Sequence, residues 1–182
     1  MSAYAAMLRA VNVAGHNAVT MADLKSLCER LGYQDVKSLL QSGNVVFNAP
    51  GAEAAEIEAA LERETQKRLH VSTQFFVRTR AQVAAAVRAN PFGAQAEDDP
   101  ARLVLVFLKS AAAASDVRAL KAAISGPEQV SAKGNHVYAY YPDGQGRSKL
   151  TAKMIERYVK SVCTARNWNT VTKILEELKK QS

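Results

Sequence analysis

Apolar residues fall in short runs separated by polar, glycine-bearing segments, and the spacing within each run predicts its element. Tyr4–Val11 is nearly continuous, closes on a polar loop and predicts a strand. Met21, Leu24, Leu27, Cys28 and Leu31 recur at helical spacing. Thr20 stands at the N-cap of that helix, Asp23 completes a capping box, and Gly32 ends it. Asp35–Gln41 and Asn44–Asn48 read as two short strands joined by a tight turn at Gln41-Ser42-Gly43-Asn44. Ala52–His70 carries Ile57 and Leu61 on one helical face, and Ser72–Arg78 reads as a strand. The order βαββαβ is the ferredoxin-like, split βαβ arrangement.

Thr79–Ala89 predicts a short helix stopped by Asn90-Pro91, and Phe92–Pro100 a loop with an acidic cluster at Glu97, Asp98 and Asp99. Leu103–Leu108 predicts a buried strand and Ser115–Ile124 a helix. Gln129–Ala132 and His136–Tyr141 pair across Lys133-Gly134-Asn135. Lys149–Val162 and Asn167–Lys180 predict two closing helices. The second half therefore reads βαββα plus a closing helix. The fold expected is α+β, two ferredoxin-like halves (1–90 and 91–182) from an internal duplication, as two domains or as one integrated domain.

Composition narrows the class. The chain has 182 residues, 48% hydrophobic and 23% charged, the profile of a globular protein that buries a core without staples. The longest apolar run, Leu103–Leu108, is too short to span a bilayer. The start has no basic region before its apolar run, so a cytoplasmic location is expected. Cys28 and Cys163 form no C-x-x-C and no zinc spacing. Cys28, among leucines at helical spacing, reads as a reduced buried thiol.

Net charge is +7, and it is uneven. Arg147–Ser182 holds nine basic residues against three acidic, so the excess belongs to the C-terminal fifth. A local basic surface favours nucleic acid, phosphorylated small molecules or acidic proteins, or it is simply a solvated helix face.

Three polar segments are candidates for a ligand site. In Arg9–Asn17, a strand leads through Asn12, Gly15, His16 and Asn17 to a helix start. Such a loop either presents backbone N–H groups to an anion or ties its own turn with asparagine side chains. It is neither a P-loop nor a G-x-G-x-x-G. Gln41, Ser42 and Asn44 form a hairpin turn whose side chains can also face a ligand. Thr164–Thr170 places Arg166, Asn167 and Asn169 in an expected helix-opening turn, where Arg166 offers a planar fork for phosphate or carboxylate. Trp168 there is either a base-stacking surface or, by its spacing with Val171, Leu175 and Leu178, a core anchor.

Leu8-Arg9-Ala10-Val11-Asn12-Val13-Ala14-Gly15, Leu40-Gln41-Ser42-Gly43-Asn44-Val45-Val46-Phe47 and Thr164-Ala165-Arg166-Asn167-Trp168-Asn169-Thr170 together resemble the bacterial domain-of-unknown-function family 1697. The likeness extends to Asn90-Pro91-Phe92 and Ser148-Lys149-Leu150. It implies a duplicated ferredoxin-like fold and no reaction. This chain departs from the family pattern at Ala10 and Ala14, where glycines are usual, and at His16, where a Lys or Arg is usual. His16 makes the loop charge depend on pH near neutrality.

The motifs contain Arg, Asn, Gln, Ser and Thr, which orient ligands, and one histidine that can move a proton. No carboxylate pair lies in a motif, which argues against glycosidase or divalent-metal chemistry. His16, His70 and His136 are scattered without ligand spacing, and no cofactor is expected. The leading expectation is a binding module for a phosphate-bearing ligand, nucleic acid or nucleotide. The alternatives are a small-molecule enzyme with a cleft between the halves and His16 as acid or base, or a protein-interaction module, with a homo-oligomer compatible with each.

Overall fold

The computed structural model describes residues 2–9, 19–40 and 43–181. The first half runs β1 (Ala3–Leu8), α1 (Met21–Arg30), β2 (Gln34–Leu39), β3 (Asn44–Asn48), α2 (Ala54–Leu69), β4 (Phe75–Thr79) and α3 (Arg80–Arg88). After a short helix α4 (Gly93–Asp98) and a 3-10 turn (Pro100–Arg102), the second half repeats the order. It contains β5 (Leu103–Leu108), α5 (Ala114–Ala123), β6 (Gln129–Lys133), β7 (His136–Tyr140), α6 (Ala152–Val159), β8 (Cys163–Asn167) and α7 (Trp168–Lys180).

Two four-stranded antiparallel sheets result, ordered β2-β3-β1-β4 and β6-β7-β5-β8. The chain divides into two compact units, residues 1–85 with 173–182, and residues 86–172. The end of α7 therefore belongs to the first unit, where Gln181 Nε2 donates to Asp35 O at 2.8 Å and Lys37 pairs with Glu177 at 3.4 Å.

The duplication extends to single hydrogen bonds. Leu8 N donates to Gly43 O at 2.8 Å, and Leu108 N to Asn135 O at 2.9 Å. Arg9 N donates to Gln74 O, and Lys109 N to Val162 O. The first residue of β4, Phe75, gives its N–H to Glu62 of α2 at 3.0 Å; the first residue of β8, Cys163, gives its N–H to Glu156 of α6 at 2.9 Å. The halves are two copies of one βαββαβ unit.

Each unit has its own core beneath its helices. In the first, Leu24 and Cys28 of α1 and Ile57 and Leu61 of α2 pack on Tyr4, Ala6, Val45, Phe47, Phe75 and Val77. In the second, Leu120, Ile155 and Val159 pack on Val104, Val106, Val137, Ala139 and Cys163. Successive strand residues point to opposite faces, so these sets are the alternate positions of each strand. The capping box expected at Thr20 is present, with Asp23 N donating to Thr20 Oγ1 at 3.0 Å and Thr20 N to Asp23 Oδ2 at 3.1 Å. Cys28 and Cys163 are buried free thiols.

Two expectations need correction. Residues 164–167 are not a helix-opening turn; they belong to β8, the strand missing from the expected βαββα order. Cys163 and Ala165 join the helix-covered core while Thr164 and Arg166 are buried on the other face, a period-two pattern hidden by a buried arginine. The acidic segment 93–98 is helix rather than loop, and Asp99 pairs with Arg102 at 3.4 Å.

Candidate functional site

Of the candidates read from sequence, Asn12, Gly15, Asn17, Gln41 and Ser42 lie outside the described residues, as does His16. In the first unit, Arg9 follows β1, half-buried, with Nη1 3.5 Å from Gln74 Oε1. Asn44 opens β3 and is buried, its side-chain amide donating to Leu39 O at 3.3 Å, a bond that closes the hairpin. In the second unit, Arg166 is 5% exposed, and its Nη1 donates to Thr164 Oγ1 at 2.7 Å and to Ala165 O at 2.9 Å. Burial lowers its pKa from 12.5 to about 10. Asn167 donates to Ala101 O at 3.0 Å and accepts from Asn169 N at 2.8 Å, so it caps α7. Trp168 is buried, in keeping with a core anchor.

Most aromatic residues of the sheets are buried, while Tyr140 of β7 is half-buried. Phe75, Phe76 and Tyr138 are buried, and Tyr138 Oη donates to Ala86 O at 2.6 Å. Every residue of β1 and of β5 is buried.

Polar side chains and open space meet elsewhere in the second unit. A cleft of about 690 Å³ lies between the segment from Ala123 to Glu128 and the segment from Asp143 to Met154. Ile124, Pro127, Leu150 and Met154 supply its apolar wall; Glu128, Asp143, Arg147, Ser148 and Lys149 supply its polar one. A second cleft of about 430 Å³ is lined by Lys149, Thr151, Lys153, Met154 and Arg157. Lys149 and Met154 line both, so the two spaces share a wall.

Local sequence fixes this wall. Ser148 Oγ donates to Glu128 Oε1 at 2.5 Å and accepts Leu150 N at 3.0 Å. Leu150 is buried, and its carbonyl accepts from Tyr141 Oη at 3.0 Å. Lys149 is therefore held between two anchored neighbours while its own side chain stays exposed. Thr151 then caps α6, accepting Met154 N at 3.2 Å. Lys153 and Arg157, one turn apart, share a face of that helix, and the Arg157 guanidinium stands 5.3 Å from the centre of the Tyr158 ring.

Among the described residues, Arg147, Lys149 and Lys153 have no carboxylate partner, whereas Lys160 pairs with Asp116 at 2.9 Å and Lys180 with Glu177 at 2.5 Å. Sequence reading located the basic excess but did not single out Arg147, Lys149 and Lys153. The available signal was the Arg147–Arg157 stretch, with four cations against one acid. Among the described residues, no group of three or more His, Cys, Asp or Glu is placed to hold a metal ion, and no helix is long and apolar enough to cross a membrane.

The profile of a family described as "Protein of unknown function (DUF1697)" matches residues 1–138. No curated protein matches the chain. Among solved structures, a conserved bacterial protein, SP0830 from Streptococcus pneumoniae, is similar at a TM-score of 0.71 and 23% identity, over 97% of this chain and 98% of that one. That likeness is one of fold.

Proposed function

Because the chain belongs to the DUF1697 family of proteins of unknown function, membership brings no activity with it, and we propose that the protein binds a phosphate-bearing ligand, nucleic acid or nucleotide, at the basic clefts of its second unit. The supporting observation is the set of Arg147, Lys149, Lys153 and Arg157 around two clefts that share Lys149. Unpaired cations on a fixed wall attract anions without first breaking an ion pair. The anchored Ser148 and the buried Leu150 fix where Lys149 leaves the backbone, and its exposed side chain is open to an anion.

The test is fluorescence anisotropy with a labelled single-stranded oligonucleotide and a labelled nucleotide across a salt series. Expected is micromolar or tighter binding to at least one probe, weakening with salt. Lys149→Ala with Lys153→Ala and Arg157→Ala is expected to weaken it about tenfold or more and to flatten the salt slope. Arg9→Ala in the same series tests Arg9, the residue that follows β1. Absence of binding to either probe at low salt overturns the proposal.

A further inference from the structure

Resting on that reading, we infer that the ligand is a nucleoside di- or triphosphate, seated with its nucleoside in the larger cleft and its phosphates in the smaller. The two spaces differ in chemistry. The smaller is lined by Lys149, Lys153, Arg157 and Thr151 with no carboxylate. The larger combines the apolar surface of Ile124, Pro127, Leu150 and Met154 with both signs of charge, the carboxylates of Glu128 and Asp143 and the cations Arg147 and Lys149.

A carboxylate accepts hydrogen bonds from hydroxyl groups and repels phosphate. The larger cleft, with apolar surface and hydroxyl acceptors, is therefore suited to the base and sugar of a nucleoside, and the smaller, where the only charged groups are cations, is the better place for a phosphate chain. Lys149 lines both and stands where the sugar joins its first phosphate. About 690 Å³ falls within the roughly 300–1,000 Å³ usual for small-molecule sites.

Glu128 is also held in place. Its Oε1 accepts from Ser148, and its Oε2 lies where a side chain at Gly126 would stand. Glycine at 126 thus leaves the second carboxylate oxygen room at the cleft wall.

Isothermal titration at constant ionic strength, with ATP, UTP, AMP and inorganic triphosphate as probes, tests the inference. ATP or UTP is expected to bind at least tenfold more tightly than AMP and than triphosphate. Lys153→Ala with Arg157→Ala is expected to bring the nucleoside triphosphate down to the AMP level while leaving AMP unchanged. Asp143→Asn is expected to weaken the nucleotide and leave triphosphate unchanged. Unchanged thermal unfolding of each variant excludes misfolding as the cause. Triphosphate binding as tightly as ATP, and lost in the lysine–arginine variant, overturns the nucleoside assignment while the anion site stands. Binding of an oligonucleotide but of no mononucleotide also overturns it. Failure of every probe overturns both this inference and the reading beneath it.

Discussion

Arg78 and Arg166 hold the same position in their two sheets, each on an edge strand opposite the matching residue of the central strand, Ala5 for one and Leu105 for the other. Each is 5% exposed, and each donates Nη1 to the carbonyl of the preceding residue, Val77 O at 3.0 Å and Ala165 O at 2.9 Å. Burial lowers the pKa of both. Arg78 has the Glu58 carboxylate at 3.8 Å, and Arg166 has the Thr164 hydroxyl. A guanidinium is costly to bury, and both copies carry one at this position.

Arg166→Ala is expected to lower stability by about 2–4 kcal/mol, through the cavity and the loss of its bonds to Thr164 Oγ1 and Ala165 O. Arg166→Met fills the same space without a charge to desolvate and is expected to cost less than about 1.5 kcal/mol. Urea unfolding of the two variants checks this. Equal losses would show that the charge itself, rather than the volume, is what the site requires. Arg166→Met is also expected to leave oligonucleotide and nucleotide binding intact. Lost binding with the fold preserved would make Arg166 the phosphate fork that its motif first indicates.

Gly43→Ala is expected to cost about 1–3 kcal/mol. Gly43 has φ +75°, and an added Cβ would stand 2.9 Å from Leu8 Cβ, beside the Leu8 N–H bond to Gly43 O. Gly144→Ala is the control, since Gly144 has φ +82° with open space around it and only the backbone strain applies. The difference in urea midpoint between the two isolates the contact with β1; no difference would remove Leu8 from the account.

Most of the fold is legible because its signals are local. Leu103–Leu108 is a continuous apolar run and is β5 to the residue; Thr20 and Asp23 announce α1. β8 is not legible, because Thr164 and Arg166 face a buried surface with polar side chains, so the strand looks like a polar turn. The cleft is less legible still. The basic stretch is visible, but spacing cannot separate Lys160, paired with Asp116 from 44 residues away, from Lys149 and Lys153. The hairpin of β6 and β7 brings Glu128 towards the segment after Tyr140, but spacing does not show that Ser148 is the residue that meets it.

The edge strands β4 and β8 are closed by carboxylates from the helices beside them. Glu58 and Glu62 accept Val77 N and Phe75 N at 2.8 and 3.0 Å, and Glu156 accepts Cys163 N. An open strand edge invites pairing with another chain. Glu62→Ala and Glu156→Ala are each expected to cost about 1–2 kcal/mol and to promote concentration-dependent association. Glu156→Gln, which keeps an acceptor oxygen, is expected to restore most of both. Light scattering on the three variants checks it, and an alanine variant that stays as monodisperse as its parent would refute the edge role.

Stability is expected to fall steadily as pH rises above about 9. Burial holds the Cys28 thiol up at about 12 against an ordinary 9.0, and the Tyr33, Tyr138 and Tyr141 phenols at about 12 against 10.0. Each folded value lies above its unfolded one, so the native state keeps a proton that the unfolded chain releases. Their contribution is complete below the unfolded values and is lost as pH climbs through the folded ones. Cys28 begins the loss near 9, and the tyrosines steepen it above 10. Arg166 acts oppositely: its folded value of about 10 lies below 12.5, so it adds stability as pH rises through that interval. Arg78 shifts in the same direction. Four groups destabilise against two that oppose, and the thiol acts first, so the net trend is downward from its onset. Urea midpoints between about pH 8 and pH 11 measure the trend, and Cys28→Ala is expected to flatten its first part. A midpoint that stays constant to pH 11 would mean that these side chains are hydrated in the native state.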